Sequence, residues 1–173
     1  MKRLALALFA CAACGTSTDD RALDGKLITA AVLAPTCGKT ECHSSFAQES
    51  DYVFDTYEGA RKTIVNNGLV ILNSDEYDPL DPEDSGLVVW LTKNDPLNLG
   101  IGRMPLDAPM PFEDIKYLEN WIAAGAEGMQ CNPAKFGGMA CVDTKLYQCG
   151  SDWNVIQSSA TQCPGDCIQG VCK

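Results

Sequence analysis

The positions of ten cysteines constrain the fold of this 173-residue chain more than any other feature. Six of them lie in the last 43 residues, a segment that is rich in glycine and proline turns and has no histidine. So short a segment buries too little apolar surface to fold on its core alone, and exported segments of this kind depend on disulfides. We therefore predict a small disulfide-rich module with short β-strands over residues 130–173. The pairing stays open among Cys131, Cys141, Cys149, Cys163, Cys167 and Cys172.

The N-terminus has the pattern of an export signal, with the basic residues Lys2 and Arg3 before an apolar run. This run is too short to span a bilayer as a helix. Its end resembles a bacterial lipoprotein signal, in which a cysteine becomes the lipidated N-terminus. We predict a signal peptide over residues 1–13, a lipid on Cys14 and a polar tether over 14–24. The chain would then lie in the periplasm or at the cell surface, anchored to a bacterial membrane; the alternative is a plain export signal cut later.

The charge of the chain limits its partners. With 23 acidic and 13 basic residues, the net charge is −10 and the pI is near 4.4. Phosphate backbones need lysine and arginine, so this balance argues against nucleic acid as a partner. It is compatible with a basic protein partner.

The only histidine of the chain lies in the segment Cys37-Gly38-Lys39-Thr40-Glu41-Cys42-His43. The signature for covalent c-type haem is C-x-x-C-H, and here the two thiols are two residues further apart. In the haem interpretation, Cys37 and Cys42 form thioethers with the vinyl groups and His43 is the proximal iron ligand. A disulfide between the two cysteines, with His43 a bystander, is the main competing interpretation. Zinc is a third, although no second pair of cysteine or histidine residues completes a tetrahedral set.

Capping residues and apolar spacing predict four helices before the disulfide-rich module. Pro35 is expected to end the first helix and deliver Cys37 into a loop, and prolines make the segment before the last helix extended. An acidic, proline-rich loop is predicted over residues 78–83. The helices are predicted over residues 25–34, 56–66, 85–92 and 111–125.

The order of these features resembles a small c-type cytochrome domain of exported bacterial proteins. After the cysteine motif, Arg103-Met104-Pro105 precedes a helix that ends in Trp-Ile-Ala-Ala-Gly-Ala, over residues 121–126. The resemblance covers residues 25–129 and implies a mainly α, cytochrome c-like fold around one covalent haem c. It implies His43 and Met104 as the axial iron ligands. Met110, which lies between prolines, is the runner-up to Met104.

This resemblance implies an exported, membrane-anchored monohaem c-type cytochrome that transfers single electrons. Such a protein is an electron carrier rather than a catalyst, and its partner is another redox protein. Arg103 is a candidate partner for a haem propionate. The alternative function is a haem-free surface lipoprotein, whose helical domain is stapled by Cys37 and Cys42 and serves as a binding or spacer module.

Overall fold

The computed structural model describes residues 19–70, 82–94, 102–142 and 144–173. The predicted signal peptide, the lipidation site Cys14, the start of the tether and most of the acidic loop lie outside the described residues. Those predictions therefore stay predictions. Among the described residues, no helix is both long enough and apolar enough to cross a membrane.

Between residues 25 and 123, the longer regular elements of the described residues are helices. The first runs through α1 (Gly25–Ile28), a π-helical stretch (Thr29–Leu33) and α2 (Ala34–Thr36). Two helices begin at side-chain N-caps: the Asp24 carboxylate accepts from two backbone N–H groups of α1, and the Thr56 hydroxyl accepts from the Gly59 N–H of α3. The later helices are α3 (Tyr57–Asn66), α4 (Gly86–Thr92) and α5 (Phe112–Ala123).

Pro35 does not end the first helix, so that detail of the prediction is wrong. It lies inside α2, directly after the π-helical stretch. In a regular α-helix the proline ring collides with the carbonyl four residues earlier. A π-helical turn changes that geometry, because its hydrogen bonds span one more residue. The helix therefore continues up to Cys37, whose N–H donates to the Leu33 carbonyl at 2.7 Å.

The apolar core lies between these helices, and α5 contributes its largest side chains. Each fully buried aromatic or branched side chain contributes roughly 1.5–3 kcal/mol through the surface it removes from water. Ile115 of α5 is only partly buried and packs against this core. The fully buried side chains include Ile28, Val32, Leu33, Ile64, Val88, Tyr117, Leu118, Trp121, Ile122 and Met129.

The C-terminal segment forms the predicted disulfide-rich module. Strands β1 (Met139–Val142), β2 (Lys145–Cys149) and β3 (Val155–Gln162) make an antiparallel sheet in that order, and β4 (Cys167–Ile168) pairs with β5 (Val171–Cys172). The disulfides confirm the prediction and supply the pairing that the sequence left open. They join Cys131 to Cys149, Cys141 to Cys167 and Cys163 to Cys172.

The predicted fold class, mainly α and cytochrome c-like, is wrong. Helix accounts for 37% of the structure and strand for 15%, which makes it a small mixed fold of helices and strands. Two physical reasons explain the difference. The module closes a three-stranded sheet on its disulfides, and the segments around the cysteine motif and Met104 are held by turns and side-chain hydrogen bonds instead of helix.

The module is joined to the helical part through α3. The Arg61 guanidinium lies 4.6 Å from the ring of Trp153 and 5.2 Å from that of Tyr57. The Tyr57 hydroxyl donates to the Gly128 carbonyl at 3.1 Å, and the Gly128 N–H donates to the side chain of Asn154. Trp153 is buried at this contact. The cation between two rings therefore fixes the module against α3.

We expect Arg61→Met to lower the free energy of unfolding by about 1 kcal/mol. The substitution removes the cation–π contacts with Tyr57 and Trp153, and such contacts contribute a stabilisation of about this size. Lys62→Met is the matched control, since Lys62 shares the partner Glu58 with Arg61 but has no described ring contact. Chemical denaturation with the disulfides intact measures both. Equal losses in the two variants would show that the ring contacts contribute nothing.

Candidate cofactor site

The four residues predicted to bind the cofactor line one cavity. Cys37, Cys42 and His43 come from the segment after α2, and Met104 comes from the segment before α5. The cavity has a volume of about 530 Å³, within the roughly 300–1,000 Å³ typical of small-molecule and cofactor sites. Two soft thiols, an imidazole and a thioether thus face the same space. Such a donor set suits a haem iron and its thioether attachments.

The residues between the two cysteines close into a turn. The Cys42 N–H donates to the Lys39 carbonyl at 2.9 Å, and the His43 N–H donates to the Cys37 carbonyl at 3.1 Å. These bonds bring the second thiol and the imidazole back towards the first thiol. The four-residue spacing, wider than in the usual haem signature, therefore still places all three groups on the cavity.

Both motif thiols are free, whereas the six cysteines of the module are all in disulfides. Burial raises the pKa of the Cys37 thiol to about 12, and the nearby Cys42 thiol adds to the effect. Cys37 also packs against the apolar core. The competing disulfide between Cys37 and Cys42 is not formed in this structure.

The imidazole of His43 is held through one ring nitrogen. Its Nδ1 lies 2.8 Å from the Glu49 carbonyl oxygen. A carbonyl only accepts, so Nδ1 must donate, which leaves Nε2 of the neutral ring with a free lone pair. The rings of Tyr52 and Phe54 lie 5.6 and 5.8 Å from the imidazole, centroid to centroid. Ligating histidines are commonly oriented by such a second hydrogen bond.

Met104 and its runner-up have different surroundings. Met104 lines the cavity, and its N–H donates to the Trp90 carbonyl at 2.9 Å. Met110 is buried in the apolar core with Tyr117 and Trp121, away from the cavity lining. The geometry thus favours Met104 as the sulfur donor.

The side chain of Arg103, next to Met104, has a buried nitrogen. Its Nε is buried and has no hydrogen-bond partner within the part of the chain that the structure describes. Buried N–H donors nearly always have an acceptor. Arg103 is not among the residues that line the cavity, so its role as the partner of a haem propionate stays a prediction.

An ion pair joins two of the residues that line the cavity. The Lys39 ammonium lies 2.8 Å from the Asp107 carboxylate, and both residues line the cavity. The hydrogen bond from Lys39 lowers the pKa of Asp107. The pair joins the segment that carries the cysteines to the segment that carries Met104. Exposed ion pairs are worth little energy, so its effect is on geometry.

The donor geometry does not favour zinc. Across the described ranges, no three histidine, cysteine, aspartate or glutamate side chains are placed to hold a metal ion together. A structural zinc site needs four such ligands. This leaves the zinc interpretation without a ligand set.

Sequence reasoning missed the residues that support the site. Gly38, Glu49 and Asp55 were not predicted, because their roles depend on contacts between segments distant in the sequence. A Cβ at Gly38 would lie 2.6 Å from the Asp55 backbone nitrogen. The glycine inside the motif was the one available signal, since glycine often marks a close approach of two backbones.

Comparison with known protein families, with curated proteins and with solved structures finds no match for this chain. The resemblance to c-type cytochromes therefore remains a prediction that rests on the quoted motifs.

We expect Gly38→Ala to lower the free energy of unfolding by about 1–3 kcal/mol, because the added methyl group displaces the Asp55 backbone. Gly86→Ala is the matched control, since its added Cβ would have ordinary contacts of 3.5 Å or more in α4. Urea unfolding measures both variants. If Gly38→Ala were as stable as Gly86→Ala, the close approach would not constrain the site.

We expect the two thiols of the haem-free protein to react with iodoacetamide in a fixed order, Cys42 before Cys37. With a pKa of about 12, Cys37 at pH 8 is ionised in only roughly one molecule in 10,000. Mass spectrometry of peptides from a time course measures the order. Equal rates, or faster labelling of Cys37, would contradict the burial of that thiol.

Proposed function

We propose that this protein is an exported, membrane-anchored monohaem c-type cytochrome that carries single electrons. The observation that carries the proposal is the common cavity of Cys37, Cys42, His43 and Met104. Two of these residues were predicted as thioether attachments and two as axial ligands. Their convergence on one space of cofactor size supports the proposal.

Each residue has a distinct role in this proposal. Cys37 and Cys42 would hold the porphyrin covalently, so the cofactor would stay bound without a high intrinsic affinity. His43 would offer Nε2 to the iron, while the Glu49 carbonyl accepts from its Nδ1. Met104 would offer its sulfur from the segment before α5.

A bound haem supplies a one-electron couple, and methionine ligation raises its potential relative to a second histidine. The protein's part is to bind, orient and partly shield the cofactor. His43 and Met104 would both hold the iron, and the chemistry supplied by a haem held in this way would be electron transfer. This favours an electron carrier over a catalyst.

The proposed location and partner follow from the termini and the charge. Lipidation of Cys14 would anchor the chain at a bacterial membrane, in the periplasm or at the cell surface. A net charge of −10 favours a basic redox protein as the partner.

We expect the rate of electron transfer to such a partner to fall as ionic strength rises. A rate independent of salt in stopped-flow measurements would remove the basic partner from the proposal.

The test of the proposal is the visible spectrum of protein exported by a host that attaches c-type haem. We expect a sharp Soret band, with α and β bands on reduction, that stays with the protein through acid–acetone extraction. In Met104→Leu the weak far-red band of the oxidised form should be lost, because that band reports the methionine–iron bond.

Met110→Leu is the matched control, a volume-conserving change in the core that should leave the far-red band in place. Loss of the band in Met110→Leu alone would move the sixth ligand to Met110. A featureless spectrum of the native chain would contradict the cytochrome function. It would favour the haem-free lipoprotein with a binding or spacer module.

A further inference from the structure

The loop that follows His43, residues 44–55 and here called the His43 loop, folds back onto the cysteine motif. The Phe54 N–H donates to the His43 carbonyl at 2.6 Å, and the Glu49 carbonyl accepts from the imidazole of His43. The carbonyl group and the ring of His43 are therefore both held by this one loop.

The Asp55 carboxylate joins the end of the loop to its beginning. Its Oδ2 accepts from the backbone N–H of Ser45 at 2.9 Å and from the Ser45 hydroxyl at 2.7 Å. These bonds, the backbone one most of all, lower the pKa of Asp55, so the group is ionised near neutral pH. Hydrogen bonds to an ionised acceptor are roughly twice as strong as neutral ones.

The middle of the loop does not adopt its shape by local preference. Gln48, Ser50 and Asp51 have φ values of +52°, +59° and +62°, in the left-handed region that residues other than glycine rarely occupy. These residues lie on both sides of Glu49, so the direction of its carbonyl depends on them. Such backbone persists only where the surroundings impose it, and it is concentrated at functional sites.

We propose that Asp55 is a positioning residue that acts through the His43 loop to hold His43 as its Nδ1–H tautomer, with Nε2 free for a ligand in the cavity. Closing the loop at Ser45 keeps the Glu49 carbonyl in line with Nδ1. A ring that was free to exchange tautomers would offer a protonated Nε2 part of the time, and a protonated nitrogen cannot bind a metal. What Nε2 binds rests on the proposed function, whereas the loop geometry does not.

The test uses nuclear magnetic resonance of the full chain labelled with ¹⁵N-histidine. The protein is exported by a host that lacks haem-attachment machinery and is measured at a pH where the ring is neutral. His43 is the only histidine, so one set of long-range ¹H–¹⁵N correlations reports the tautomer directly. We expect the Nδ1–H tautomer to predominate in the native chain.

Two substitutions at Asp55 test how strongly this carboxylate controls the tautomer of His43. Asp55→Ala removes the acceptor and should shift His43 towards the Nε2–H tautomer, while Asp55→Asn keeps a weaker, neutral acceptor and should give an intermediate shift. Asp114→Asn is the matched control, because it neutralises a carboxylate that pairs with Arg21 and has no described bond to the His43 loop. Its tautomer should match that of the native chain.

A folded Asp55→Ala variant with the native tautomer would overturn the proposal, as would a native chain in which Nε2–H predominates. If Asp55→Ala does not fold, Ser45→Ala removes only the hydroxyl bond to Asp55. A shift of His43 towards the Nε2–H tautomer in this variant would support the proposal, and an unchanged tautomer would overturn it. The result is separate from the test of function, since the tautomer is measured without haem. A chain that never binds haem leaves the tautomer result standing.

Discussion

The hydrogen bond from the Phe54 N–H to the His43 carbonyl is the contact on which the rest of the site depends. Phe54 is buried in the apolar core, so the bond ties the cysteine motif to that core. Phe54 and Asp55 also lead directly into α3. The orientation of His43 is thus set by core packing at one end of the loop and by the cap of a helix just beyond it.

The two parts of the chain are stabilised in different ways, one by disulfides and the other by an apolar core. The module has only a few buried apolar residues, around Tyr147 and Val155, and depends on three disulfides. The helical part has a continuous apolar core and keeps its two described cysteines free on a cavity. The segments around that cavity are irregular, because they are shaped by contacts with each other instead of by helical periodicity. A covalent cofactor there would tie those segments together.

The sequence predicted the features that depend on local chemistry. The disulfide-rich module follows from the number of cysteines and the turn residues around them, and the structure confirms its disulfides. The fold class was wrong, because the pairing of strands depends on contacts between distant segments that periodicity does not reveal. Pro35 was misplaced because its effect depends on the kind of helical turn before it. The support of His43 by Asp55 and Glu49 had no signal in the sequence, since it arises from a loop with left-handed backbone at ordinary residues.

The most direct test of covalent haem comes from the position of Lys39 between the two motif cysteines. Trypsin cuts after Lys39, so it separates Cys37, in the peptide of residues 27–39, from Cys42, in the peptide of residues 40–61. If one haem is bound by both thiols, mass spectrometry of the exported protein will find the two peptides joined through a haem after treatment with dithiothreitol. Two separate, haem-free peptides after the same reduction would contradict the account.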